Sequence, residues 1–202
     1  MLEASELECE RGGRTLFRNL SFALRAGEAI RVAGPNGSGK TSLLRVLCGL
    51  LTPAQGQVQW NGSRIQSLAE EYTRRLVYVG HAPAVKDDLT PFENLDFACR
   101  LAGAQANPEA LRWALNAYSV PELPARKLSQ GQRRRAALAR LLLSEGMPLW
   151  LLDEPFTALD AAAASYTEEL VARHLKAGGS VVYTTHQTCA LDSTARLVDL
   201  KH

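Results

Sequence analysis

Gly34, Pro35, Asn36, Gly37, Ser38, Gly39, Lys40 and Thr41 fit the pattern GxxxxGK[ST], and they sit after an apolar strand-like run and before a helical one. Glycines at these positions let backbone N–H groups turn inward around phosphates, where a Cβ would obstruct the approach. Lys40 would neutralise the β- and γ-phosphates, the Thr41 hydroxyl would ligate Mg²⁺, and Ser42 completes the nucleotide-binding set. In that context a ligand-free glycine turn is the weaker reading. The chemistry expected is binding of a nucleoside triphosphate.

A second constellation lies in "LWLLDEP", Leu149 to Pro155. Asp153 ends an apolar strand, where its carboxylate can hold Mg²⁺ directly or through a water. Glu154, one residue on, points differently and can polarise an attacking water as general base. An acidic pair at a strand end is often only a helix cap, but downstream of a P-loop the hydrolytic reading is favoured. His186 ends the next strand-like run, "SVVYTTH". A histidine at the carboxyl end of a parallel strand faces the ligand crevice, and its expected role is to hydrogen-bond the γ-phosphate and the hydrolytic water.

The third constellation is "LSQGQRRRAALARLLL", Leu128 to Leu143, a polar turn before three arginines and an apolar helical run. A helix N-terminus offers unpaired N–H groups and partial positive charge, so an anion is its natural guest. Arg133, Arg134 and Arg135 read as a solvated or interface face rather than as direct phosphate ligands.

These residues must be positioned by alternating strands and helices. "SELEC", "TLFRNLSFAL" and "EAIRVAG" are strand-like, with turns at Gly12-Gly13 and Ala26-Gly27. Leu43, Leu44, Leu47 and Leu50 recur at helical spacing, and Asn61-Gly62 signals a hairpin. From Thr90 to about Leu143 the pattern is mainly helical, with Thr90-Pro91 and Asn107-Pro108 as cap and first helical position. The remaining strands alternate with a helix through "AAAASYTEELVARHLKAG", which argues for a mainly parallel α/β sheet.

Composition narrows the partners. Lys and Arg number 23 against 21 Asp and Glu, a balance too even for a dedicated nucleic-acid binder. Cys9, Cys48, Cys99 and Cys189 are far apart, so neither a zinc site nor a disulfide framework is indicated, and reduced, buried thiols are expected. The first residues lack an apolar signal core, and no apolar stretch reaches the roughly 20 residues of a membrane span. Any membrane role must therefore come through a partner.

The order of P-loop, "LSQGQ", "LLDEP", "ALD" and strand-terminal histidine resembles the ATP-binding subunits of ABC transporters over nearly the whole chain. The fold implied is a P-loop NTPase of the ABC type: a mainly parallel core sheet, an antiparallel β subdomain and a helical insertion at about 86–145, in one domain spanning 1–202. The resemblance implies a head-to-tail homodimer with two ATP molecules at the interface. Ser129, Gly131 and Gln132 of one chain would meet ATP held by Lys40, Asp153, Glu154 and His186 of the other. Leu159 and Asp160 look like the loop that couples the two sites.

Three positions depart from the family pattern. Arg11 stands where an aromatic residue usually stacks on adenine, and an arginine plane can do the same. His81 stands where a glutamine senses Mg²⁺ and the membrane partner; a neutral imidazole can accept from a metal-bound water. Gln130 occupies the signature's third position, where glycine is commoner.

Within the family, "LEASELECERGGRTLFRNLSF", "VGHAPAVKDDLTPFENLDF" and "LLDEPFTALD" are most similar to haem-exporter ATP-binding subunits of c-type cytochrome maturation. That resemblance implies a peripheral subunit on the cytoplasmic face of the bacterial inner membrane. It would bind integral-membrane partners and use ATP and Mg²⁺ to drive haem export or release of a haem chaperone. No direct haem binding is expected, since the cysteines and His174 and His202 form no haem motif. An ABC subunit for another cargo, or a soluble P-loop ATPase, kinase or nucleic-acid factor, are the alternatives. "LSQGQ" before "LLDEP" speaks against a kinase, and the length allows neither a second nucleotide domain nor a coiled-coil insertion.

Overall fold

The computed structural model describes residues 1–200, so His202 lies outside the described residues. Strands β1 (Leu2–Arg11) and β2 (Arg14–Leu24) pair antiparallel, and β1 also pairs with β4 (Gln55–Trp60), which turns into β5 (Ser63–Arg64). The β4–β5 turn is Asn61-Gly62, with φ of 50° and 83°. Positive φ at both residues matches the right-handed strand twist, as the sequence predicts.

The second sheet is parallel throughout. Its strands are β3 (Ala29–Ala33), β6 (Leu76–Val79), β7 (Leu149–Asp153), β8 (Ser180–Thr184) and β9 (Arg196–Asp199), in the order β6-β7-β8-β3-β9. Every residue of β7 and β8 is buried, which is why their centres, Leu149–Leu152 and Val181–Tyr183, show little polar alternation. The pleat divides them between two cores. Trp150, Leu152, Val181 and Tyr183 face one, and Leu149, Leu151 and Val182 the other.

Helix α1 (Lys40–Leu47) follows β3 and buries Leu43, Leu44, Val46 and Leu47 in the second core. Helix α2 (Ile65–Thr73), kinked at Ala69, leads into β6. Helices α3 (Pro91–Leu101), α4 (Pro108–Ala117) and α5 (Gln130–Leu142) pack on one another through Leu95, Cys99, Leu111, Leu115, Leu138 and Leu142. Thr90 and Asn107 cap α3 and α4, each followed by proline, as the sequence predicts. Helix α6 (Ala161–Lys176), capped by Asp160, returns the chain to β8.

All four cysteines are free and buried, and burial pushes each thiol's pKa up, which disfavours the reactive thiolate. Among the described residues no helix is long and apolar enough to cross a membrane.

His174 of α6 is 4% exposed and stacks on Trp150, with ring centroids 3.8 Å and planes 5° apart. Burial lowers its pKa from 6.5 to about 4, with only a weaker raising influence from the Ser180 backbone. Above pH 6.5 the ring is neutral in both folded and unfolded chains. As pH falls from 6.5 towards 4 the unfolded chain takes up the proton first, so stability is lost across that window and no further below it. The expected loss is about 2 kcal/mol between pH 7 and pH 5. Thermal unfolding at the two pH values checks it: His174→Leu should flatten the slope, and an identical slope in both proteins would refute the assignment.

Candidate functional site

The strand order brings four loops together, because β6, β7, β8 and β3 are consecutive neighbours in one parallel sheet. Their carboxyl ends lead to His81, to Asp153-Glu154, to His186 and to the glycine loop 34–39 respectively. Carboxyl ends of parallel strands form the ligand crevice of such sheets. An open cleft of about 660 Å³ there is lined by Asn36, Gly37, Gly39, Lys40, Thr41, Ser42, Asp153, Glu154, His186, His81 and Arg11, among others. That volume is of the size that holds a small-molecule ligand.

Lys40 Nζ donates to the carbonyls of Gly34 (2.8 Å) and Pro35 (3.1 Å), so the ammonium lies along the loop rather than in solvent. Ser38 is buried at the base of the loop, its Oγ without a hydrogen bond. Thr41 Oγ1 donates to Asp153 Oδ2 at 2.8 Å, which ties the P-loop helix to the end of β7. These two oxygens form a hard, adjacent donor pair of the kind Mg²⁺ takes alongside phosphate oxygens and water. Among the described residues no group of three or more His, Cys, Asp or Glu side chains is placed to hold a metal ion.

Asp153 Oδ1 accepts from Thr184 Oγ1 at 2.8 Å, and the same hydroxyl oxygen accepts from the Glu154 N–H at 2.8 Å. Thr184 is fully buried and sits opposite Asp153 in the β7–β8 register. Sequence reasoning missed it, and the only signal was its place two residues before His186. Glu154 takes a left-handed backbone conformation, φ 53°, which is uncommon for a residue with a side chain and is a form of strain found at functional sites. Its Oε2 accepts from the His186 N–H (3.3 Å) and from Thr157 Oγ1 (3.4 Å). Its Oε1 is buried with no hydrogen bond and lies 3.5 Å from His186 Nε2. Glu154 therefore keeps one carboxylate oxygen without a hydrogen bond, beside the imidazole that borders the cleft.

Ser129, Gly131, Gln132 and Asp160 do not line this cleft. Ser129 caps α5: its hydroxyl accepts from the Gln132 N–H (3.2 Å), while Gln132 Oε1 accepts from the Ser129 N–H (2.9 Å). The Ser129 end of that helix is exposed. A Cβ on Gly131 would stand 2.5 Å from the Ala158 carbonyl oxygen, so only glycine lets the helix start sit against the segment following Glu154. Asp160 caps α6 through the Ala163 N–H and pairs with Arg135 at 3.6 Å.

Arg133 to Arg135 do not form one solvated or interface face. Arg133 pairs with Asp87 and Arg135 with Asp160, whereas Arg134 is buried and donates to backbone carbonyls at the ends of β6 and β7. Successive helical positions are 100° apart, so three identical letters point three ways. Burial lowers the Arg134 pKa, and the nearby Asp153 and Glu154 carboxylates oppose that shift.

The sequence model of the ABC transporter family matches residues 17–157, more than half of the chain. The cytochrome c biogenesis ATP-binding export protein CcmA of Aromatoleum aromaticum is 50% identical over 203 aligned residues, covering 99% of this chain and 95% of that protein. A solved structure of the ATP binding subunit of an ABC transporter superposes with a TM-score of 0.85 at 25% identity, covering 98% of this chain and 85% of the other. A dimeric ATP-binding cassette in a post-hydrolysis state, bound to ADP and Pi, superposes with a TM-score of 0.83 at 24% identity, covering 100% of this chain and 94% of the other.

Proposed function

From the premise that this chain belongs to the ABC transporter family, we propose that it is the ATP-hydrolysing subunit of an export complex serving c-type cytochrome biogenesis. The observation that carries the ATPase reading is the junction of two loops: Thr41, beside the phosphate-binding Lys40, is bonded to Asp153, next to Glu154 with its open acceptor. The near full-length identity with an export protein named for cytochrome c biogenesis supports the pathway.

In this reading the P-loop N–H groups and Lys40 hold the β- and γ-phosphates, with Arg11 stacked on the adenine. Thr41 and Asp153 would hold Mg²⁺, with His81 at the same cleft as an acceptor for its hydration shell, and the ion would supply neutralisation of charge on the phosphate oxygens. Glu154 takes a proton from the attacking water as the bond from its oxygen to the γ-phosphorus forms. The bond from that phosphorus to the bridging oxygen breaks, and ADP leaves with the electron pair. His186 donates to the γ-phosphate and orients the water.

Two copies assemble head to tail, and the exposed cap of Ser129, with Gly131 and Gln132, closes the partner's nucleotide. Asp160 sits between the two sites. The dimeric cassette of the same fold supports this arrangement. The complex lies at the cytoplasmic face of the inner membrane, held by integral-membrane subunits that contact residues 81–95. Haem handover is the work driven, and the haem site belongs to the partners.

Deletion of the gene in its host, scored for covalent haem in c-type cytochromes, tests the proposal. Loss of cytochromes restored by the wild type but not by Lys40→Ala is the expected result. Normal cytochromes in the deletion strain would overturn the pathway and leave the family membership standing.

A further inference from the structure

We propose that Arg134 is a positioning residue for hydrolysis, a buried clamp on α5 that fixes the backbone on both sides of Glu154 and the turn into His81. The inference rests on the assignment of Glu154 as general base. Arg134 Nη2 donates to the Asp153 carbonyl at 2.6 Å, Nε to the Pro155 carbonyl at 3.4 Å, and Nη1 to the Gly80 carbonyl at 2.7 Å. One guanidinium thus holds the residues before and after Glu154 and the residue before His81.

The need for such a clamp lies in Glu154 itself. Its φ of 53° is disfavoured for any residue with a Cβ, and it persists only where the surroundings over-determine it. The Glu154 N–H is held by Thr184, and Arg134 supplies the bonds to the two flanking carbonyls.

A role confined to anchoring α5 fits the contacts less well. The helix is already fastened by Leu138, Ala139, Leu141 and Leu142 in the core, and by the Arg133–Asp87 and Arg135–Asp160 pairs at its start. Arg134 is 3% exposed, and its hydrogen bonds go only to carbonyls beside the candidate catalytic groups. Burying a full charge there is costly, and a guanidinium fork satisfies three divergent carbonyls where an ammonium on a flexible stem cannot hold the same geometry. Gly131 seats the same helix start on Ala158. The Ser129 cap and Glu154 are therefore joined through one rigid element.

The test compares Arg134→Lys, Arg134→Met and Glu154→Gln in the full chain. ATP turnover is normalised to nucleotide-bound sites, and thermal unfolding is measured alongside. Arg134→Lys should bind ATP within about threefold of wild type, unfold within a few degrees of it, and turn over about tenfold to a hundredfold more slowly per bound site. Arg134→Met should be slower still. Wild-type turnover per bound site in Arg134→Lys, or losses in both variants that only track loss of folded protein, would overturn the proposal. If Glu154→Gln also turned over like wild type, the general-base assignment itself would fall; an inert Glu154→Gln beside an unimpaired Arg134→Lys would sink the clamp alone.

Discussion

Glu154→Gln should bind ATP within about threefold of wild type and hydrolyse it about two to four orders of magnitude more slowly, the range associated with loss of a general base. The amide is nearly isosteric. Its oxygen can still accept from the His186 N–H and from Thr157 as Oε2 does now, so the loop geometry should survive. What disappears is the open Oε1 acceptor beside His186, the one buried oxygen of this group free to take a proton. Affinity should be spared because the phosphate contacts come from the other side of the cleft, from Lys40 and the glycine loop. With ATP bound and unspent, the variant should accumulate as a dimer. Single-turnover kinetics and light scattering with and without ATP measure both effects, and an unchanged rate would remove Glu154 from its role.

Lys40→Ala should act at the opposite step, weakening ATP binding by about 3 kcal/mol or more, on the order of a hundredfold in Kd. Lys40 is nine-tenths buried and its ammonium is poised by two loop carbonyls, so its loss leaves phosphate charge in a partly desolvated loop with no cation. The fold should tolerate the change, since α1 is anchored by Leu43, Leu44, Val46 and Leu47 rather than by its first residue. Calorimetric titration with ATP checks the affinity, and a Kd within threefold of wild type would exclude Lys40 as the phosphate ligand.

What the sequence made legible was local. The P-loop, the acidic pair and the caps at Thr90 and Asn107 are each carried by a few adjacent residues whose chemistry demands their conformation. The β4–β5 hairpin was readable from Asn61-Gly62 for the same reason. Placing Arg11 and His81 at the cleft required the family pattern, and both do line it.

What stayed hidden was non-local. Thr184 acquires its role only because β7 and β8 are neighbours in register, and strand order is not written in any short segment. Arg134 could not be told from Arg133 and Arg135 until α5 was set against the ends of β6 and β7. Helix α2, short and broken at Ala69, carried no clean period for a sequence reading to follow.

If each nucleotide site is completed by a second copy of the chain, Ser129→Arg should disable turnover without touching nucleotide binding. Ser129 does not line its own chain's cleft. ATP affinity should therefore stay within about threefold while turnover falls about a hundredfold, the scale of losing one preorganised donor at a reacting group. Unchanged turnover in Ser129→Arg would contradict completion by a second copy and return hydrolysis to a single chain.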